Sequence, residues 1–286
     1  MATTNPAGPV AAAAAGRPVD PRLHAVVARV LGDLHAAVRD LAITEPELRQ
    51  ALAFLTELGT AGEWQLFSDV LGISVAVDAN THHAAGGATA SNVEGPFYRP
   101  GAPLVAEPVA LCADDEPGDV LFMSGQVRSA AGGRPLAGAL LDVWQTSQAG
   151  LYEHEDPDQP DWNLRRRFHA DGAGRYEFRT VAPAPYQIPH SGPVGRFLAA
   201  VGRHPWRPAH LHLKVSAPRH EPLTTMLYVE GDPWLHDDTI FSVKPALTIG
   251  LTRHDQPDDL AARGLDRPFC TAAYDFALQP AGPGPA

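Results

Sequence analysis

Basic residues are scarce in this chain: 22 lysines and arginines stand against 33 acidic residues, a formal net charge of −11 over 286 residues. A nucleic-acid partner would call for the opposite balance, so that class is set aside. The three consecutive arginines, Arg165 to Arg167, read as a solvated or internally paired stretch. Cysteine is nearly absent. Cys112 and Cys270 stand far apart and outside any CxxC or Cys/His spacing, which excludes a disulfide framework and a zinc ribbon and fits a reducing, cytoplasmic compartment. No apolar run is long enough to enter and cross a bilayer. The opening MATTNPAGPVAAAAAGRPVDP lacks both a basic start and a long apolar stretch. It reads as a disordered tail over residues 1–19 rather than a signal peptide.

Turn formers, by contrast, are plentiful, with 28 prolines and 26 glycines. They are unevenly used. From Asp20 onward Leu23, Val26, Val27, Val30, Leu31, Leu34 and Val38 recur at three- and four-residue spacing, which predicts an amphipathic helix. Thr44 and Glu47 have capping-box spacing, with Pro46 in the first turn, and predict the start of a second helix. A third is expected over Glu63 to Ala79. Beyond residue 100 the pattern changes to short apolar runs separated by Gly, Pro and Asp, among them ALLDVWQTS, GRYEFRTVAP, AHLHLKVSAP and LTTMLYVEGD. The fold expected is mainly β: an antiparallel β-sandwich over residues 101–280, preceded by a helical domain over residues 20–100.

The chemistry begins with RPAHLHLKVSAP. His210 and His212 are one residue apart in a strand-like run, so both imidazoles project from the same face, as metal ligands would. Two tyrosines stand in turn-flanked, proline-rich surroundings, Tyr152 in QAGLYEHEDPD and Tyr186 in VAPAPYQIPH. A phenolate is a hard anionic oxygen ligand suited to a ferric ion, whose charge would in turn ionise the phenol. Spacing alone does not single out this pair.

The order of motifs does. LDVWQTSQAGLY, NLRRRF, DGAGRYEF, VAPAPYQIP, GRHPWRPAHLHLKVSAP and LTTMLYVEGDPWLHDD, together with GPFY at Gly95 to Tyr98, resemble the intradiol ring-cleaving catechol dioxygenases over roughly residues 90 to 245. By that resemblance Tyr152, Tyr186, His210 and His212 are the ligands of one non-haem Fe(III) per subunit. An aromatic diol or triol binds through both oxygens, Tyr186 leaves and acts as base, and O2 opens the ring to a muconate-type diacid. Arg207, three residues before His210, matches the position that stabilises developing charge on the ring. PYQIPHSGPVGRFLAAVGRHPWRPAH, SDVLGIS and SNVEGPFY are most similar to the hydroxyquinol 1,2-dioxygenase branch. This similarity implies a substrate pocket lined by Leu66, Asp69, Val93, Gly95, Pro96 and Phe97, in which the Asp69 carboxylate could accept a hydrogen bond from an extra ring hydroxyl. It also implies cleavage of hydroxyquinol to 3-hydroxy-cis,cis-muconate or maleylacetate. The resemblance extends weakly into the helical part, which implies a homodimer through the N-terminal helices and leaves room for a lipid between them.

Two positions depart from the pattern. Met226 stands where many catechol-cleaving relatives carry a glutamine, and Glu94 is charged where the hydroxyquinol branch can be apolar. Catechol or a substituted catechol therefore stays open as substrate. A binding module with the same sandwich and no chemistry would not need the four residues together. A zinc hydrolase built on the HxH pair would need a third ligand, for which His169, His190 and His204 are the available histidines.

Overall fold

The computed structural model describes residues 20–82 and 86–282, so the tail expected over 1–19 lies outside the described residues. Helix α1, Pro21–Asp40, starts where the Asp20 carboxylate accepts from the backbone N–H groups of Arg22 and Leu23 at 2.8 and 3.0 Å, with Pro21 at its first position. Helix α2, Glu45–Ala61, opens on the expected cap: the Thr44 N–H and hydroxyl both donate to the Glu47 carboxylate, at 2.7 and 2.6 Å.

The single third helix expected over Glu63 to Ala79 is two, α3 (Trp64–Val70) and α4 (Ile73–Thr81). Gly72 breaks it. Its φ of +70° belongs to the left-handed region, and a Cβ there would come within 3.2 Å of the Phe241 ring. By packing, the chain divides into two compact units, one up to Thr60 and one from Ala61, and α3 and α4 fall in the unit that holds the β body. Polar contacts account for that: buried Asp78 of α4 accepts from the Ser91 hydroxyl at 3.0 Å and from Lys244 Nζ at 2.8 Å, and the Val70 carbonyl of α3 accepts from Arg203 at 2.6 Å.

The β body follows as β1 (Val109–Ala110), β2 (Val120–Ser129), β3 (Leu140–Trp144), β4 (Arg165–His169), β5 (Arg175–Val181) and β6 (Tyr186–Gln187). After helix α5 (Pro193–Ala200) come β7 (Trp206–Arg207), β8 (His210–Ser216), β9 (Leu223–Val229), β10 (Thr248–Ile249) and β11 (Thr252–His254). Helix α6 (Pro257–Arg263) then leads into β12 (Phe269–Ala273) and β13 (Phe276–Leu278). One sheet runs β1-β5-β2-β12-β11 with β13 also on β2, the other runs β10-β9-β8-β3-β4, and β6 and β7 form a separate ribbon. Among the described residues six pairings are antiparallel, as expected. Four others are parallel: β1 with β5, β10 with β9, and both β13 and the inner strand β12 with β2. The β9 to β10 connection, residues 230–247, is long enough to bring the chain back in the same direction.

The sheets meet through their apolar faces. Phe168 of β4 and Phe178 of β5 lie with ring centroids 5.5 Å apart, and Gln145, buried just beyond β3, accepts from the Thr180 hydroxyl of β5 at 2.8 Å. Strand β8 is almost wholly buried between β9 and β3, so side chains on it have little freedom to move.

Candidate metal centre

The two histidines sit on this central strand. His210 faces Tyr228 across β9, while His212 is opposite Met226 on β9 and Trp144 on β3. The His212 ring lies flat on the Trp144 indole, centroids 4.7 Å apart and planes 11° apart. The tyrosines come from less regular backbone. Tyr186 is held in the β6–β7 ribbon directly opposite Arg207. Tyr152 stands in the loop after β3, where its ring stacks on Phe97 at 4.8 Å and its N–H donates to Glu155 at 3.1 Å. Gly150 makes the close approach possible: its φ is +77°, and a Cβ would fall 2.8 Å from Cβ of Tyr186.

Folding brings the four polar ends together. The Tyr152 and Tyr186 hydroxyl oxygens are 3.4 Å apart, and the Nε2 atoms of His210 and His212 are 3.1 Å apart. Arg207 joins the two pairs, its Nη1 lying 3.4 Å from the Tyr186 oxygen and 3.2 Å from Nε2 of His210. All five side chains are buried.

Burial first, and the Arg207 charge second, push His210 down to about 3; burial, His210 and Arg207 push His212 well below the ordinary imidazole range. Both rings are therefore neutral. His210 Nδ1 lies 2.7 Å from the Pro208 carbonyl, so this nitrogen carries the proton and donates it there, leaving the Nε2 lone pair facing its neighbours. Burial and the neighbouring Tyr186 hold the Tyr152 phenol well above its usual range. It ionises here only beside a strong positive charge. Two neutral imidazoles and two phenols meeting in a buried spot, with no carboxylate among them, fit a hard trivalent cation better than a divalent one.

The polar floor beneath Arg207 has no counterpart among the residues singled out from sequence. The Asp238 carboxylate accepts from Arg207 Nε at 3.2 Å, and from the Ser242 hydroxyl and N–H at 2.6 and 3.1 Å. Ser242 Oγ accepts from Arg207 Nη2 at 2.8 Å and lies 2.7 Å from the Tyr228 hydroxyl, to which Asn92 donates at 3.1 Å. A second buried ion pair lies behind Tyr152. Arg165 donates to Glu153 through Nε and Nη2 and to the Phe97 carbonyl, and Arg99 reaches the same carboxylate at 2.6 Å. The first arginine of the Arg165–Arg167 run is thus internally paired, one of the two alternatives its sequence left open.

Of the other residues named from sequence, Phe97 and Gly95 adjoin this centre. Phe97 covers Tyr152, and Gly95 lies so close to His212 that a Cβ would be 3.7 Å from Cε1. Leu66 and Val93 are buried apolar side chains, whereas Pro96 is exposed. Asp69 is buried at 2% exposure and accepts from Gln65 at 3.0 Å. Burial raises its pKa, against the opposing pull of Ser74, Gln65 and the Arg207 charge. Glu94 is engaged elsewhere, paired with Lys214 at 2.5 Å. The Met226 sulfur accepts from the Tyr228 hydroxyl at 3.1 Å and from Arg207 Nη2 at 3.4 Å. His169, His190 and His204 do not join: the first two bond the Gly138 and Ile188 carbonyls, and the third pairs with Asp237. Among the described residues no group of three or more His, Cys, Asp or Glu could hold a metal, so a zinc site built on the HxH pair lacks its third ligand.

Known dioxygenases match this chain along most of its length. Residues 93–280 match the family model described as dioxygenase, and residues 20–89 match that of the catechol dioxygenase N terminus. A hydroxyquinol 1,2-dioxygenase of Rhizobium sp. is 40% identical over 91% of this chain and 90% of its own length. A catechol 1,2-dioxygenase of Acinetobacter baylyi is 36% identical over 91% and 86%. The crystal structure of hydroxyquinol 1,2-dioxygenase from Pseudomonas putida DLL-E4 superposes with a TM-score of 0.83 at 38% identity, covering 92% of this chain and 93% of that one. With both family models matched and the tyrosines and histidines gathered in one buried centre, the chain belongs to the intradiol ring-cleaving dioxygenases, as an enzyme of the hydroxyquinol or catechol type.

Proposed function

We propose that the protein cleaves hydroxyquinol between its adjacent hydroxylated carbons with O2, giving 3-hydroxy-cis,cis-muconate or its tautomer maleylacetate, at one Fe(III) per subunit held by Tyr152, Tyr186, His210 and His212. The observation that carries this reading is the meeting of those four side chains beside buried Arg207. When bound, the ferric ion supplies charge that ionises the phenols and draws electron density from a chelating diol, which makes the ring carbon reactive towards O2.

The protein's own groups do the rest. The imidazoles, fixed on β8, are the immobile half of the ligand set. Tyr186, on the short ribbon, is the one ligand of the four that can leave, and its phenolate accepts a hydroxyl proton of the incoming diol. Arg207, a fixed positive charge 3.4 Å from that oxygen, steadies negative charge on the phenolate and on the ring. Phe97, Leu66 and Val93 supply apolar wall that excludes water. Asp69 is the group that favours a triol, since its buried carboxylate can accept a hydrogen bond from a third ring hydroxyl. A homodimer through the N-terminal helices is part of the same proposal: Leu23, Val26, Val27, Val30, Leu34 and Val38 are all exposed along α1.

Visible absorption of the purified, iron-loaded protein during anaerobic titration tests the reading. Fe(III)–tyrosinate gives a broad charge-transfer band, which moves to longer wavelength as a diol binds. Half-saturation at lower hydroxyquinol than catechol is expected, with the preference lost in Asp69→Asn. Tighter binding of catechol keeps the chemistry and overturns the substrate, while a colourless protein after ferrous loading and air oxidation overturns the site.

A further inference from the structure

We propose that Asp238 is a positioning residue of the reaction, acting through Arg207 and working together with Ser242; the inference rests on the proposed function of this centre.

Arg207 is almost completely buried, and a guanidinium so placed needs its charge matched and its five N–H donors directed. Asp238 does both. Its carboxylate, itself buried, takes Nε, which leaves Nη1 turned towards the Tyr186 oxygen and His210 Nε2. Ser242 Oγ takes Nη2 at 2.8 Å while donating its own proton to Asp238 at 2.6 Å. Three edges of one planar group are thereby fixed: one by a carboxylate, one by a hydroxyl, and the third aimed into the centre. The same carboxylate accepts from the N–H of Ser242 at 3.1 Å and of Ile240 at 3.4 Å, so it also closes the backbone turn that delivers Ser242. Among the described residues no other acceptor reaches Nε. The neighbouring contact of Nη2 with the Met226 sulfur, at 3.4 Å, is a weak acceptor that would not hold the guanidinium in orientation.

The consequence is directional. With Asp238 in place the cation is neutralised on its far side and presents donors only on its near side, where phenolate or ring oxygens carry charge. Without it the guanidinium keeps its charge and loses its aim. A small error of aim is costly to a transition state and cheap to a bound ground state, so turnover suffers more than substrate binding.

The test is a double-mutant cycle on the iron-loaded enzyme with hydroxyquinol and catechol as probes, comparing Asp238→Asn, Arg207→Gln and the two together, with the thermal midpoint of each. Asp238→Asn should lower kcat on the order of tenfold to a hundredfold while KM moves by less than about threefold. In the Arg207→Gln background the same change should cost less than about twofold, because there is no longer a guanidinium to aim. Should Asp238→Asn fail to fold, Ser242→Ala keeps the test open: it leaves the ion pair intact, and its smaller loss of kcat should likewise vanish once Arg207 is gone. Effects on kcat that multiply in the double variant, or losses that follow the thermal midpoint alone, would overturn the proposal and leave the dioxygenase reading standing. A loaded wild-type enzyme that turns over neither probe overturns that reading, and this inference with it.

Discussion

His210 Nε2 lies 3.1 Å from Nε2 of His212, with Arg207 Nη1 a further 3.2 Å from the first of them. Two neutral rings and a guanidinium at such distances leave little room for proton sharing, since His210 already gives its one N–H to Pro208. Apart from a cation, the partners these two nitrogens find among the described residues are each other and an arginine. Replacing His212 by Ala should therefore reduce ferric content of the purified protein to less than about a tenth, measured by metal analysis, while the thermal midpoint of the metal-free protein changes much less.

Metal removal carries its own signature. A ligand that binds the folded chain alone stabilises it in proportion to the logarithm of its concentration over its dissociation constant. Iron loading should thus raise the thermal midpoint, and the increment should disappear in Tyr152→Phe, which removes one phenolate without emptying the volume of the ring. An unchanged increment in that variant would show Tyr152 to be no ligand.

Behind Tyr152 the Glu153–Arg165 pair is buried on both sides at 1% exposure. Arg165→Met removes the buried partner of this carboxylate and leaves Arg99 alone beside it, so the cost in urea denaturation should be about 3 kcal/mol, the lower end of the range for a broken buried pair. The pair also sets an acid limit. Burial opposes the Glu153 charge, but Arg165 and Arg99 outweigh it and hold this carboxyl below its usual range. A depressed carboxyl contributes stability above its unfolded pKa, about 4.3, and that contribution fades as pH falls through the lower folded value. The acid unfolding midpoint of Glu153→Gln should respond less steeply to pH in that window than that of the wild type.

Gly150 offers a test of how the tyrosines are brought together. Its left-handed backbone and the 2.8 Å approach to Tyr186 both resist a side chain. Gly150→Ala should lower stability by about 1 kcal/mol or more and shift the charge-transfer band, because the added methyl displaces Tyr186.

The HxH spacing was legible because strand periodicity alone puts both rings on one face, and the structure keeps them there. Tyr152 and Tyr186 were legible only through motif order. One sits in a loop and the other in a two-residue strand, and neither has a period that points inward. Asp238 closes the motif LTTMLYVEGDPWLHDD without a role attached to it, and Ser242 lies beyond that motif. WLHDDTIFSVK reads as a polar connection, and what draws it inside is the charge of Arg207, 31 residues away. The helix expected from Glu63 to Ala79 failed for a reason its own sequence holds: Gly72 follows Leu71 where the chain must turn left-handed beneath Phe241. The parallel pairings were illegible, since alternation says which face a strand buries and nothing about which neighbour it chooses.

The imidazoles stand on β8, hydrogen-bonded on both edges, whereas the phenols stand on a loop and a ribbon two residues long. The centre is therefore divided by time as well as by chemistry. Amide hydrogens of β8 should exchange with solvent only when the whole body opens, while those around residues 150–153 and 186–187 exchange through local excursions that leave β8 intact. On the proposed function, in which Tyr186 leaves and the histidines stay, the two kinds of ligand stand on backbone of matching patience.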